Sequence, residues 1–147
     1  MEEFTPYEHR VAYYETDQMG VVHHSNYIRW FEEARDDFVR RNGIDYRLVE
    51  AEGVLLPVKS VSCDYRSAAG YGDLVEIAVR PVYFNGVRLR CEYEVRRKED
   101  GALIVTGRSE HCYIDAATRR PLNLRKRMPE YCRVLSRLVE GSDSGRE

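Results

Sequence analysis

Between Tyr13 and Phe38 the chain reads YYETDQMGVVHHSNYIRWFEEARDDF, and its first half gathers an acid, a glycine and adjacent histidines: Asp17, Gly20, His23 and His24. A carboxylate there can attack an electrophilic carbon or take a proton from water, provided something nearby stabilises the charge that develops. The helical pattern that follows supplies such a group. Its first amides fall near His24 and Ser25, have no intrahelical acceptor and carry the positive end of the helix dipole. They suit a carbonyl oxygen that turns anionic under attack. Gly20 lets the backbone turn, or approach a ligand closely. Each residue also has a plainer use. An Asp in a polar loop serves as a turn or cap residue, and paired histidines at a helix start serve capping or packing. No third ligand stands at a spacing that would make His23 and His24 a metal site. On spacing alone, Asp17 is nucleophile, general base or turn residue.

The elements that must hold these residues follow from periodicity. From Ser25 to Arg41 the apolar positions Tyr27, Trp30, Phe31, Ala34 and Phe38 recur at helical spacing, with charges on the other face. Ser25 or Asn26 can cap this helix, Asn42–Gly43 can end it, and Arg40 and Arg41 suit its C-terminal dipole. Tyr27, Trp30 and Phe31 read as core, with Tyr27 early enough to line a pocket. Glu32 and Glu33 read as a solvated or interface face. Beyond Gly53 the period becomes two. Val75, Ile77 and Val79 alternate with Glu76, Ala78 and Arg80, and Val87, Leu89, Cys91, Tyr93 and Val95 alternate strictly with charged residues, the pattern of a half-buried strand. Asn85–Gly86 and Glu99–Asp100–Gly101 mark hairpin turns. Segments Glu8–Tyr14, Leu55–Tyr65 and Leu103–Ile114 complete the strands, and Leu124 to Val139 reads as a terminal helix with Pro129 in its first turn. The order is strand, long helix, four antiparallel strands, terminal helix, an α+β domain with the helix on one sheet face. Unfinished sheet edges predict pairing of two sheets in a homodimer at least.

Composition sets the bounds. The 147 residues suit one domain, placed here at residues 1–139 with a flexible tail over 140–147. Basic and acidic side chains number 23 and 25, so no basic field argues for a nucleic-acid partner. No apolar run is long enough for a membrane span, and the acidic, polar N-terminus is unlike a signal peptide, which predicts a cytoplasmic protein. Cysteines at 63, 91, 112 and 132 fit no zinc pattern and read as free thiols.

The run Glu15-Thr16-Asp17, Gly20, Val22, His24 and Tyr27 resembles the signature of hot-dog-fold acyl-CoA thioesterases. It is similar to the 4-hydroxybenzoyl-CoA thioesterase type and to relatives associated with the bacterial Tol-Pal system. The likeness continues through Trp30-Phe31-Glu32, Ala34-Arg35, Pro57-Val58-Lys59-Ser60, Asp64-Tyr65 and Gly72-Asp73. It implies a hot-dog fold, a long central helix wrapped by a curved antiparallel sheet of about five strands, plus the C-terminal helix.

The same resemblance implies hydrolysis of an acyl-CoA thioester to a carboxylic acid and coenzyme A. Asp17 matches the catalytic carboxylate, the His24 amide matches the donor to the thioester carbonyl, and the His24 side chain matches a histidine beside the acid. A substrate pocket between two chains is implied, with Gly20, Val22, His23, Asn26 and Tyr27 from one and residues around Val58 and Ser60 from the other. Arg66, Arg88 and Arg90 are the cations offered to the coenzyme A phosphates. They are otherwise surface charges. No metal or cofactor is implied, coenzyme A entering as part of the substrate, and the assembly is a homodimer or homotetramer. His23 stands where relatives often carry an aromatic residue. The hairpin Phe84-Asn85-Gly86-Val87 lacks the basic cluster of the 4-hydroxybenzoyl type. The rival readings are an enoyl-thioester hydratase or dehydratase of the same fold, and a non-catalytic acyl-CoA-binding sensor.

Overall fold

The alternation along Val87–Val95 becomes the middle of a five-stranded antiparallel sheet, seen in a computed structural model that describes residues 5–144. Its strands are β1 (Tyr7–Arg10), β3 (Val58–Tyr65), β4 (Leu74–Phe84), β5 (Arg88–Arg97) and β6 (Leu103–Cys112), in the order β1-β4-β5-β6-β3. Leu89, Cys91, Tyr93 and Val95 turn inward and are buried, while Arg88, Arg90, Glu92, Glu94 and Arg96 face outward. The hairpin at Asn85–Gly86 forms as its residues dictate. Gly86 takes a φ of 93°, and the Asn85 side chain accepts from the amides of Val87 and Arg88.

The helix α1 spans Ser25–Arg41 and lies on the inner sheet face. Trp30, Phe31 and Ala34 are completely or almost completely buried. The Phe31 ring stacks on Tyr93, centroids 4.3 Å apart and planes 8° from parallel. Gly107 on β6 makes this approach possible, since a Cβ there would sit 2.4 Å from the Phe31 ring. Gly43, with a φ of 87°, follows the helix end, and Arg40 and Arg41 pair with Asp36 and Asp37 one turn earlier.

The start of α1 differs from expectation. Neither Ser25 nor Asn26 caps it; His24 occupies the cap position with no side-chain cap bond. The expected strand Glu8–Tyr14 also ends early, at Arg10, because residues Tyr13–Glu15 tighten into a 3-10 turn held by Glu15. The segment Leu55–Tyr65 is divided at Leu56–Pro57. A short β2 (Val54–Leu55) pairs instead with β7 (Ile114–Asp115) in a separate two-stranded ladder. An unforeseen helix, α2 (Tyr46–Ala51), is capped by the Asp45 side chain.

At the C-terminus α3 (Leu124–Arg127) precedes α4 (Pro129–Ser144). Pro129 occupies the first helical position, where its missing N–H costs nothing. The helix runs past Val139 to Ser144, with Leu135, Leu138 and Ser142 buried along it. The remainder of the expected tail, 145–147, lies outside the described residues. Among the described residues no helix is long and apolar enough to cross a membrane. Cys91, Cys112 and Cys132 are buried free thiols, and Cys63 is a free thiol only partly covered.

Candidate active site

Glu15 organises the loop that carries Asp17. Its side chain accepts from the Ala12 amide (2.8 Å) and Trp30 Nε1 (2.7 Å) and meets His9 Nε2 at 2.7 Å. Burial alone would raise this carboxyl. The hydrogen bonds from Ala12, His9 and Trp30, with the charge of His9, outweigh burial and hold it below the usual carboxylate range. Beyond Glu15, Thr16 and Val22 pair antiparallel and close a small loop. Inside that loop the Gly20 amide donates to Asp17 O (2.9 Å), the Met19 amide to Asp17 Oδ1 (2.8 Å), and the Asp17 amide to Val21 O (2.9 Å). Gly20 has a φ of 79°, and a Cβ there would meet nothing within 4 Å. The turn, not crowding, is what requires glycine.

The start of α1 is fastened to the same loop. The Asn26 side chain donates to Glu15 O (2.8 Å), as does the His23 amide (2.8 Å). The Ser25 amide donates to His23 Nδ1 (3.2 Å), and the Asn26 amide to His23 O (3.0 Å). That leaves the His24 amide without a hydrogen-bond acceptor among the described residues. The His24 ring is exposed, stacked on His23 with centroids 4.2 Å apart and edge-on to Tyr65 at 6.3 Å. A carboxylate fixed by its own turn and an unsatisfied helix-start amide are thus held by one network rooted in Glu15. Such an arrangement can polarise a carbonyl while an acid attacks it or activates water.

Other sequence candidates fall in different places. Val22 and Tyr27 are buried, 5% and 3% exposed, and Tyr27 packs between Trp30 and Tyr65, so both form the floor beneath the loop. Asn26 is buried and spends its amide on the loop backbone. Val58 and Ser60 lie on opposite sheet faces, because a register shift between them pairs Val58 with His111 and Ser60 with Glu110. Ser60 lines an outer-face cleft with Arg90 and Glu110. Arg88 and Arg90 converge on Glu110 at 3.7 and 3.3 Å, and Arg90 also covers the Tyr83 ring. Arg66 stands apart from them, one residue beyond the Tyr65 end of β3.

Two residues of the site were given no role by sequence reasoning. Tyr65 closes the site on the sheet side, its hydroxyl donating to His24 O at 3.3 Å. Glu15 stood inside the motif, but nothing local distinguishes an acid that will be buried against a tryptophan fifteen residues away from one facing water. Among the described residues no group of three or more His, Cys, Asp and Glu gathers as a metal site would.

Residues 11–134 match the family model of the thioesterase-like superfamily. The chain is 32% identical over 124 residues to the Bacillus subtilis protein named "Putative acyl-CoA thioesterase YneP", covering 84% of this chain and 89% of that one. It is 31% identical over 80 residues to the acyl-CoA thioester hydrolase YbgC of Escherichia coli O6:H1, covering 54% of this chain and 60% of that protein. A crystal structure of a DHNA-CoA thioesterase from Staphylococcus aureus superposes with a TM-score of 0.90 at 29% identity, covering 97% of this chain and 95% of that one.

Proposed function

We infer, for a chain that belongs to the thioesterase-like superfamily and has its hot-dog fold, that it is an acyl-CoA thioester hydrolase releasing a carboxylic acid and coenzyme A. The observation that carries the reading is the pairing of Asp17, locked in its turn, with the unsatisfied amide of His24 at the start of α1. In this reading the His24 amide binds the thioester oxygen and strengthens its hold as that oxygen becomes anionic. Asp17 attacks the carbonyl carbon or deprotonates the water that does. His24 orients the reacting group through its exposed ring. Water supplies the hydroxyl, the acid product keeps the acyl carbon, and the thiolate of coenzyme A leaves and takes up a proton. The protein needs no metal or redox group for this step, and coenzyme A arrives with the substrate. Its place in the cell is the cytoplasm.

The assembly is a homodimer formed by extending the sheet at β3. That strand is an open edge, and on its helix-facing side Val58, Val61 and Tyr65 remain 52%, 38% and 50% exposed. Val58 and Tyr65 are seven residues apart, roughly 23 Å along the strand. Antiparallel pairing about a two-fold axis sets Val58 of one copy beside Tyr65 of the other, which supports a pocket shared between chains. Arg66, at the Tyr65 end, is then the cation of the three best placed for phosphate; Arg88 and Arg90 already share Glu110.

Thiol release over short, long and aromatic acyl-CoAs, and thiol release beside enoyl absorbance on one 2-enoyl-CoA, test the reading. On the enoyl substrate, loss of absorbance matched mole for mole by released thiol is expected. Enoyl turnover without thiol release would assign a hydratase, and tight binding without either would assign a sensor. Label found in the Asp17 carboxylate after single turnover in heavy-oxygen water then identifies a nucleophile, because a mixed anhydride opened at the Asp17 carbonyl takes up label there and a general base cannot.

A further inference from the structure

Four large side chains around the Asp17 turn face solvent when their chemistry favours cover. Tyr13, Tyr14, Met19 and Tyr71 are 77%, 82%, 79% and 67% exposed. Isolated exposed aromatics need no explanation, but a cluster against one loop does. Tyr13 and Tyr71 come from separate segments and meet edge-to-face with centroids 5.6 Å apart. Their segments are fastened together by backbone bonds from Val11 N to Asp73 O (2.9 Å) and from Gly72 N to Val11 O (3.0 Å). The Arg10 guanidinium adds a bond to Gly72 O at 2.9 Å. The catalytic turn abuts the same loop, since Gly20 O lies 3.6 Å from where a Gly70 Cβ would be. The rings are therefore held in place beside the Asp17 turn, with their outer faces open among the described residues.

Resting on the thioesterase reading above, we propose that the Tyr13–Tyr71 pair, with Met19, is the wall along which the pantetheine arm of the acyl-CoA substrate lies. The chemistry of that arm fits the patch. It is uncharged, with two amides set among methylene and methyl groups, and it joins directly to the thioester sulfur. The patch is likewise uncharged, offering aromatic faces to the methylenes and phenol hydroxyls to the amides. A nucleotide would need cations free at the same place; the wall side chains carry none, and the Arg10 guanidinium beside Tyr71 is engaged at Gly72 O. The wall also adjoins the carboxylate, as a group bonded to the reacting sulfur requires.

Three thioesters of one acyl group separate this from other roles: the acyl-CoA, the acyl-pantetheine and the thioester of a short alkyl thiol. Tyr71→Ala and Tyr13→Ala should each raise KM about tenfold for the first two, as expected for one lost ring contact, and leave the third unchanged. Tyr71→Phe should keep most of the wild-type KM. Equal losses on all three thioesters, or none, would overturn the proposal. So would a changed assembly state of Tyr71→Ala in light scattering, which would make the patch a contact between copies. Calorimetric binding of coenzyme A reads the wall without turnover: it should weaken by a similar factor in Tyr71→Ala and persist in Tyr71→Phe. Wild-type protein that binds coenzyme A through these rings but releases no thiol would sink the hydrolase reading alone. Wild-type protein that releases thiol but does not bind coenzyme A would sink the wall and leave the hydrolase reading standing.

Discussion

Glu15 sets the position of two groups it never touches, the Asp17 carboxylate and the His24 amide. Its oxygens receive donors from three segments, Ala12, His9 and Trp30, and its backbone oxygen receives two more from His23 and Asn26. In Glu15→Gln, the new amide must turn a donor toward one of those donors. We expect a loss of about 1–3 kcal/mol in urea unfolding, the cost of a buried group left unsatisfied. A fall in kcat should accompany it as the turn loosens, and an unchanged unfolding midpoint would contradict the role. Asp17 and Gly20 were legible in the sequence because their parts are local, a turn closed within a few residues. Glu15 and Tyr65 were not, since their partners, Trp30 and His24, come close only when α1 packs on the sheet.

At the scale of elements, the placement of α1 depends on one missing side chain. The Phe31 ring is held between Tyr93 and the bare backbone of Gly107. Gly107→Ala should therefore lower stability by about 1–3 kcal/mol, the usual cost of overpacking, because the ring has no room to retreat. A smaller ring-site residue, as in Phe31→Leu, should restore part of that loss in the double variant, a non-additivity that thermal unfolding can measure. Two full penalties in the double variant would mean the strain lies elsewhere. The long helix and the β4–β5 hairpin were readable because sustained periodicity and an Asn–Gly turn encode them. β2 and β7 are two residues each, too short to show any period, and they pair because they prolong β3 and β6, which already pair in the larger sheet. The bulge that separates the faces of Val58 and Ser60 likewise leaves no mark on the sequence.

For the whole molecule, stability and assembly have separate readouts. His111 is fully buried, bonded through Ser109 and Tyr93 to Arg35. Burial, then the Arg35 charge, lower its pKa from 6.5 to about 3. The unfolded chain thus takes up this proton first, and stability should decline as pH falls from 6.5 toward about 3, by up to ~1.4 kcal/mol per pH unit. His111→Gln should flatten that slope above the carboxylate range; an equal slope in both proteins would exclude His111 as its source. Assembly is tested at the open edge, where Val61→Asp should shift light scattering toward monomer and reduce thiol release together. Fully active monomer would refute the shared pocket. The central claim, that Asp17 performs the hydrolysis, is tested most directly by thiol release from an acyl-CoA substrate by Asp17→Asn. The amide keeps the size and the turn but can neither attack nor accept a proton. The account predicts turnover reduced by about a hundredfold or more with acyl-CoA binding retained. Near-wild-type turnover by the folded variant would contradict it.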